Sequence, residues 1–167
     1  MKTLILVRHA KSSWDEAGLS DTERPLNERG KKDAPEMAKR LRKRGLAIDG
    51  FVSSPAERAF RTARYFVKEF ESKKEDIQLE KTLYGALPAQ FNNVVTALKD
   101  KWHTAALFSH NPGITAYANT LTSVSTDNIP TCGVFAVQAA VESWKDFAKA
   151  EKRFLFYDYP KNPLAVI

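Results

Sequence analysis

Apolar residues fall along the chain in short unbroken runs that alternate with amphipathic stretches. Leu4-Ile5-Leu6-Val7 has the continuity of a strand buried on both faces. Asp33 to Arg44 repeats with helical period and puts Ala34, Met37, Ala38 and Leu41 on one face, with Gly45 as a stop. Phe51-Val52-Ser53 reads as a second strand. Pro55 to Phe70 reads as a helix with Ala59, Ala63, Phe66, Val67 and Phe70 inward. Ile77 to Glu80 gives a third strand, and Pro88 to Asp100 a helix carrying Phe91, Val94, Val95 and Leu98. Ala105-Ala106-Leu107-Phe108 is another buried strand, followed by a helix from Pro112 to Leu121. Val134 to Val137 and Phe154 to Tyr157 are the last two strands, spaced as a hairpin with a long loop.

This alternation predicts an α/β fold. The expected form is a three-layer α/β/α sandwich around a mostly parallel mixed sheet of about six strands, antiparallel near one end. A length of 167 residues predicts a single domain over 1–167, large enough for a sizeable core. No repeat, low-complexity tract or linker interrupts it, and Thr122 to Pro130 is the most polar loop.

Composition adds exclusions. With 43% hydrophobic and 28% charged residues, the chain is ordinary for a globular protein. The first apolar run ends after four residues at Arg8-His9, too short for a signal peptide or a membrane span. No later run approaches the roughly 18 apolar residues a span requires. The expectation is a soluble cytoplasmic protein without a membrane partner. A lone Cys132 excludes an intrachain disulfide framework and a multi-cysteine zinc site, and is expected as a small apolar residue near a strand. Net charge is +6, with much of the excess between Arg29 and Arg44. That segment reads as a solvated helix face, or as a field steering anionic substrates or an acidic partner. Zinc-finger spacing and an aromatic RNA-binding signature are both missing, so nucleic acid is not an expected partner.

Three segments share one grammar: an apolar strand ends, and polar residues follow before a loop or helix. Ligands of open α/β sheets bind outside such strand ends. In Val7-Arg8-His9-Ala10-Lys11, a partly neutral imidazole can act as a nucleophile, and a guanidinium fork matches phosphate oxygens. Alone, the pair is a weak signal and also fits a capping or surface role. In Ser53-Ser54-Pro55-Ala56-Glu57-Arg58-Ala59, Ser54 reads as a helix N-cap, Pro55 as the first helical residue and Glu57 as the end of a capping box. Arg58 then sits at the positive end of a helix dipole, a conflict that a bound phosphate would relieve, unless the side chain is simply exposed. In Phe108-Ser109-His110-Asn111-Pro112, Asn111 reads as a cap and Pro112 as the first helical residue. His110 thereby faces a helix start, or is a satisfied core histidine.

Leu6-Val7-Arg8-His9-Ala10-Lys11-Ser12-Ser13-Trp14 resembles the signature of the histidine phosphatase superfamily, also called phosphoglycerate-mutase-like. Arg24-Pro25-Leu26-Asn27-Glu28-Arg29-Gly30, the Ser53 to Ala59 segment and Ser109-His110-Asn111-Pro112 match its later motifs in order, over roughly the first 115 residues. The short chain and the Arg-His-Ala-Lys-Ser start resemble the SixA-type phosphohistidine phosphatase branch. The resemblance implies His9 as nucleophile, with Arg8, Arg58 and His110 on the phosphoryl oxygens and Arg24 as an auxiliary contact. It implies no metal and no cofactor. His9, His110, Arg8 and Arg58 are expected to converge on one pocket at the C-terminal edge of the sheet.

One departure bears on substrate. Many relatives carry a glutamate, acting as general acid, in a longer insertion after the third strand. Here Glu80-Lys81-Thr82-Leu83-Tyr84-Gly85-Ala86 has no obvious counterpart, and Glu80 also reads as the solvated end of a strand. A phosphoramidate nitrogen accepts its proton more easily than an alkoxide, so a site without an acid suits phosphohistidine. Three functions remain open. One is a phosphatase of protein phosphohistidine. Another is a phosphatase of small phosphate esters, helped by Glu80, Asp15 or Glu16. The third is a phosphate-binding module without catalysis, which the intact Arg8, His9, Arg58 and His110 argue against. A mutase is disfavoured because the chain lacks length for a retaining lid. The partner is accordingly a phosphorylated protein or a small phosphorylated substrate.

Overall fold

The computed structural model describes residues 1–163. Within them six strands form one mixed sheet: β1 (Lys2–Arg8), β2 (Gly50–Ser53), β3 (Ile77–Leu79), β4 (Thr104–Ser109), β5 (Val134–Ala139) and β6 (Lys152–Asp158). Their order is β3-β2-β4-β1-β5-β6. The pairs β1·β4, β2·β4 and β2·β3 are parallel, whereas β5 runs antiparallel to β1 and β6 antiparallel to β5. Among the described residues, four α-helices cover the sheet: α1 (Glu28–Lys43), α2 (Glu57–Glu69), α3 (Pro88–Thr96) and α4 (Gly113–Leu121). Among the described residues, no helix is long and apolar enough to cross a membrane.

The unbroken apolar run of β1 follows from its central place. Successive side chains of a strand point to opposite faces, so both sets must be apolar when both faces are covered. Leu4 and Leu6 enter the core beneath α3 and α4, with Leu107, Phe91, Val95 and Tyr117. Ile5 and Val7 enter the opposite core beneath α1 and α2, with Phe108, Met37, Leu41 and Phe66. Two cores on one sheet make three layers.

Element ends differ from the expected ones where local chemistry overrides periodicity. α1 begins at Glu28 rather than Asp33, because Asn27 caps it by accepting from the Gly30 amide (2.9 Å). α3 stops at Thr96, short of Asp100. α2 begins at Glu57 with Ala56 in the cap position, and Ser54 makes no helix cap. The Glu57 carboxylate closes no capping box there and accepts instead from Arg61 (2.6 Å). α4 likewise begins at Gly113 after Pro112. Asn111 binds Thr115, Asn128 and Ile129 through its side chain rather than capping the helix backbone.

Gly30 shows why α1 can lie against the segment after β1. A Cβ there would come within 2.2 Å of the Lys11 carbonyl oxygen. That carbonyl also accepts from the Asn27 amide (3.0 Å). Replacing Gly30 by Ala should therefore push the Ala10–Lys11 backbone away from α1 and cost about 1–3 kcal/mol. Urea unfolding checks this, and an unchanged midpoint would show that the contact relaxes freely.

Candidate active site

Parallel register brings the strand ends together. Arg8 pairs with Ser109 and Ser53 with Phe108, so His9, His110 and Ser54 leave three adjacent strands side by side. Backbone bonds continue the ladder past the strands, from His9 N to Ser109 O (3.1 Å) and from Ser54 N to Phe108 O (2.9 Å). The His9 and His110 ring centroids stand 5.1 Å apart, and both residues are buried.

The hydrogen bonds set the protons. His9 Nδ1 lies 2.8 Å from the Ala10 carbonyl oxygen, which can only accept. Nδ1 therefore carries the proton and Nε2 keeps its lone pair. The segment is pinned to α2, because the Ala10 amide donates to Thr62 Oγ1 (2.9 Å) and that hydroxyl donates to the Arg58 carbonyl (2.7 Å). His110 Nε2 shares a hydrogen bond with Ser54 Oγ (2.8 Å). Ser54, expected to cap a helix, thus orients an imidazole. With its hydroxyl as donor, the His110 proton sits on Nδ1.

Three guanidinium groups surround the rings. Arg8 donates to the Ile129 carbonyl (2.9 Å), and Arg24 binds Ser12 while stacking its guanidinium 3.3 Å from the Trp14 ring centre. Arg58 donates to the Asp21 backbone oxygen (2.6 Å) and to Asp21 Oδ2 (2.9 Å). Arg8 Nε, Arg24 Nε, Arg58 Nε and His110 Nδ1 are buried without a protein partner. A cluster of unsatisfied donors is costly unless a ligand anion satisfies it.

Electrostatics keep both rings neutral. Burial pushes His9 down to about 3; the bond to Ala10 opposes this, and His110, Arg58 and Arg8 add to it. Burial first and Arg58 second push His110 down to about 4. His9 therefore holds an available lone pair at neutral pH, and the His110 ring is neutral there as well. Burial, then Arg58, also lowers the pKa of Arg8.

All five residues singled out by sequence, Arg8, His9, Arg24, Arg58 and His110, lie in this one cluster. Glu80 does not join it, since its carboxylate accepts from Thr82 (3.3 Å). Asp15 and Glu16 are exposed and line an outer cavity of about 870 Å³. Sequence reading missed Asp21, Tyr84 and Thr62. The Tyr84 hydroxyl donates to Asp21 Oδ2 (2.6 Å), and its ring stands edge-on to His110 at 5.4 Å. Neither residue has a periodicity or motif signal. The helix-start conflict at Arg58 is met by Asp21. Among the described residues, no group of three His, Cys, Asp or Glu side chains could hold a metal ion.

The sequence profile of the histidine phosphatase superfamily, branch 1, matches residues 4–112, most of the chain and all of this cluster. The chain belongs to that family. Curated relatives include a protein of Mycobacterium tuberculosis, 29% identical over 84% of this chain and 90% of its own length. Phosphoserine phosphatase 1 of Hydrogenobacter thermophilus is 42% identical, over 48% of this chain and 39% of its own. Among solved structures, the protein histidine phosphatase SixA complexed with tungstate superposes with a TM-score of 0.79 at 20% identity, covering 95% of this chain and 97% of SixA. A mycobacterial glucosyl-3-phosphoglycerate phosphatase with VO3 gives 0.73 at 15% identity, covering 95% and 100%. Membership of that family supports catalysis of the phosphatase or mutase type.

A histidine held neutral by burial in the folded state gains its proton more readily when unfolded. Both rings should therefore destabilise the fold as pH falls from about 6.5 toward 3–4. NMR titration of the free protein should find His9 and His110 neutral at pH 5.5, and midpoints near 6.5 would contradict the burial argument.

Proposed function

We propose that the protein is a phosphohydrolase that forms a phosphohistidine intermediate on His9 and removes phosphate from protein phosphohistidine. The observation that carries this reading is the bare Nε2 of His9, beside His110 and amid three guanidinium groups. Arg8, Arg58, Arg24 and His110 hold the phosphoryl oxygens, whose charge spreads in the transition state. Nε2 attacks in line, forming a P–N bond as the bond to the leaving atom breaks. Water then attacks phosphorus, and the P–N bond breaks to give inorganic phosphate and free His9.

The protein-bound substrate is favoured by likeness to SixA over nearly the whole of both chains. An open, partly apolar rim agrees: Trp14 is 75% exposed and Leu87 66%, both on loops adjoining the site. Between Glu80 and Pro88 the chain makes only one 3-10 turn, at Lys81–Leu83, and a short loop. A cytoplasmic location belongs to the same proposal. The alternative, a phosphatase of small esters, is favoured by the likeness to glucosyl-3-phosphoglycerate phosphatase.

His9→Ala should cut turnover by about 10⁴-fold or more with the fold intact. Rapid quench with labelled substrate should place phosphate on His9 in an acid-labile, base-stable linkage, and label on Ser12 or Ser54 would reject the mechanism. Comparing a phosphohistidine-bearing protein with small alkyl and sugar phosphates should give a higher kcat/KM for the protein. The reverse order would assign the small-ester reading.

A further inference from the structure

Each outer nitrogen of Arg58 already gives one of its two N–H bonds to Asp21. Nη1 donates to the Asp21 backbone oxygen and Nη2 to its carboxylate, leaving only Nε without a partner. Asp21 also pairs with Arg24 at 3.6 Å. One carboxylate thus neutralises two of the three guanidinium groups that the proposed mechanism assigns to phosphoryl oxygens. The Arg58 side chain is 8% exposed and that of Asp21 46%, so the carboxylate stands at the mouth above a buried cation.

We propose that Asp21 is a resident counter-ion that the substrate's phosphoryl group displaces from Arg58, and that the displaced carboxylate then serves as the proton donor to the leaving group. The inference rests on the phosphatase reading above and deepens it. Three observations support it. Carboxylate and phosphoryl oxygens seek the same guanidinium donors, so they compete. In-line transfer puts the leaving atom on the far side of phosphorus from His9 Nε2; with His9 buried and Asp21 partly exposed, the leaving group departs toward solvent on the side of Asp21. The hydrogen bond from Tyr84, then the hydrogen bond and charge of Arg58 and the charge of Arg24, hold the Asp21 carboxyl below the usual carboxylate range. Exchange removes the Arg58 contribution and sets a negative phosphoryl group nearby, and both changes favour the protonated form.

The proton balance closes over one cycle. Asp21 takes a proton from solvent as the phosphoryl group binds. It gives that proton to the leaving nitrogen or oxygen as the P–N bond to His9 forms. In the second step it removes a proton from the attacking water, and it returns that proton to solvent when phosphate leaves and Arg58 is recaptured. The Tyr84 hydroxyl keeps the carboxylate at the mouth throughout. A site so equipped handles alkyl phosphates as well as phosphoramidates, which a site lacking an acid does not.

Asp21→Asn preserves shape and removes the charge. Calorimetry with inorganic phosphate, in buffers of different ionisation enthalpy, reads the exchange without turnover. The variant should bind phosphate about tenfold more tightly and take up about one proton fewer than the wild type. Phosphorylation of His9, read as the single-turnover burst, should slow by about 10²–10⁴-fold with alkyl phosphates while activated aryl phosphates are spared in that step. Weaker phosphate binding, or an unchanged proton uptake, would show that Asp21 only positions Arg58 and would overturn the exchange. Tighter binding with equal losses on both ester classes would overturn the proton-donor role. A wild type that neither binds phosphate nor turns over would sink the phosphatase reading itself, a result distinct from either.

Discussion

The parallel pairing of β1 with β4 is the constraint on which the site depends. It sets Arg8 opposite Ser109, and the residue after each strand is a histidine. A slip of one residue would turn one imidazole to the other face of the sheet, because side chains alternate. The register is well specified here, since both faces of both strands are buried in apolar cores. A slip would move Leu4 and Leu6 into the wrong layer together with the ring. Stability of the sheet and placement of the chemistry are therefore one property.

A second constraint comes from charge. Arg24 and Arg58 are buried and Arg8 is half-buried beside them, an arrangement whose repulsion and desolvation must be offset. The fold offsets part of it with carbonyls, such as Ile129 for Arg8, and part with the Asp21 carboxylate. What is left is a set of N–H groups without protein partners. Burial, together with the same positive field, keeps His9 and His110 unprotonated, so attraction for an anion and the nucleophilicity proposed for His9 have a shared origin. The two imidazoles differ through their partners. A carbonyl fixes the proton of His9 on Nδ1, whereas the Ser54 hydroxyl can give or accept and leaves His110 adaptable.

The sequence by itself determined the α/β class, the layers and the strand count, because periodicity and run length report burial directly and burial is what a sheet covered on both faces imposes. It also singled out Arg8, His9, Arg24, Arg58 and His110, whose chemistry stands at strand ends and in motifs. It misjudged Ser54 and Asn111, because a polar residue before a helix reads as a cap whether its side chain turns back to the helix or away to a neighbour. Only the tertiary structure decided that Ser54 serves His110, that Thr62 ties α2 to the His9 segment, and that Asp21 and Tyr84 complete the site. Those residues lie 37, 52, 56 and 63 positions from partners they touch. A contact across such separations leaves no local pattern, since the packing of distant segments and the demand of buried charges for partners create it, and neither exists until the chain has folded.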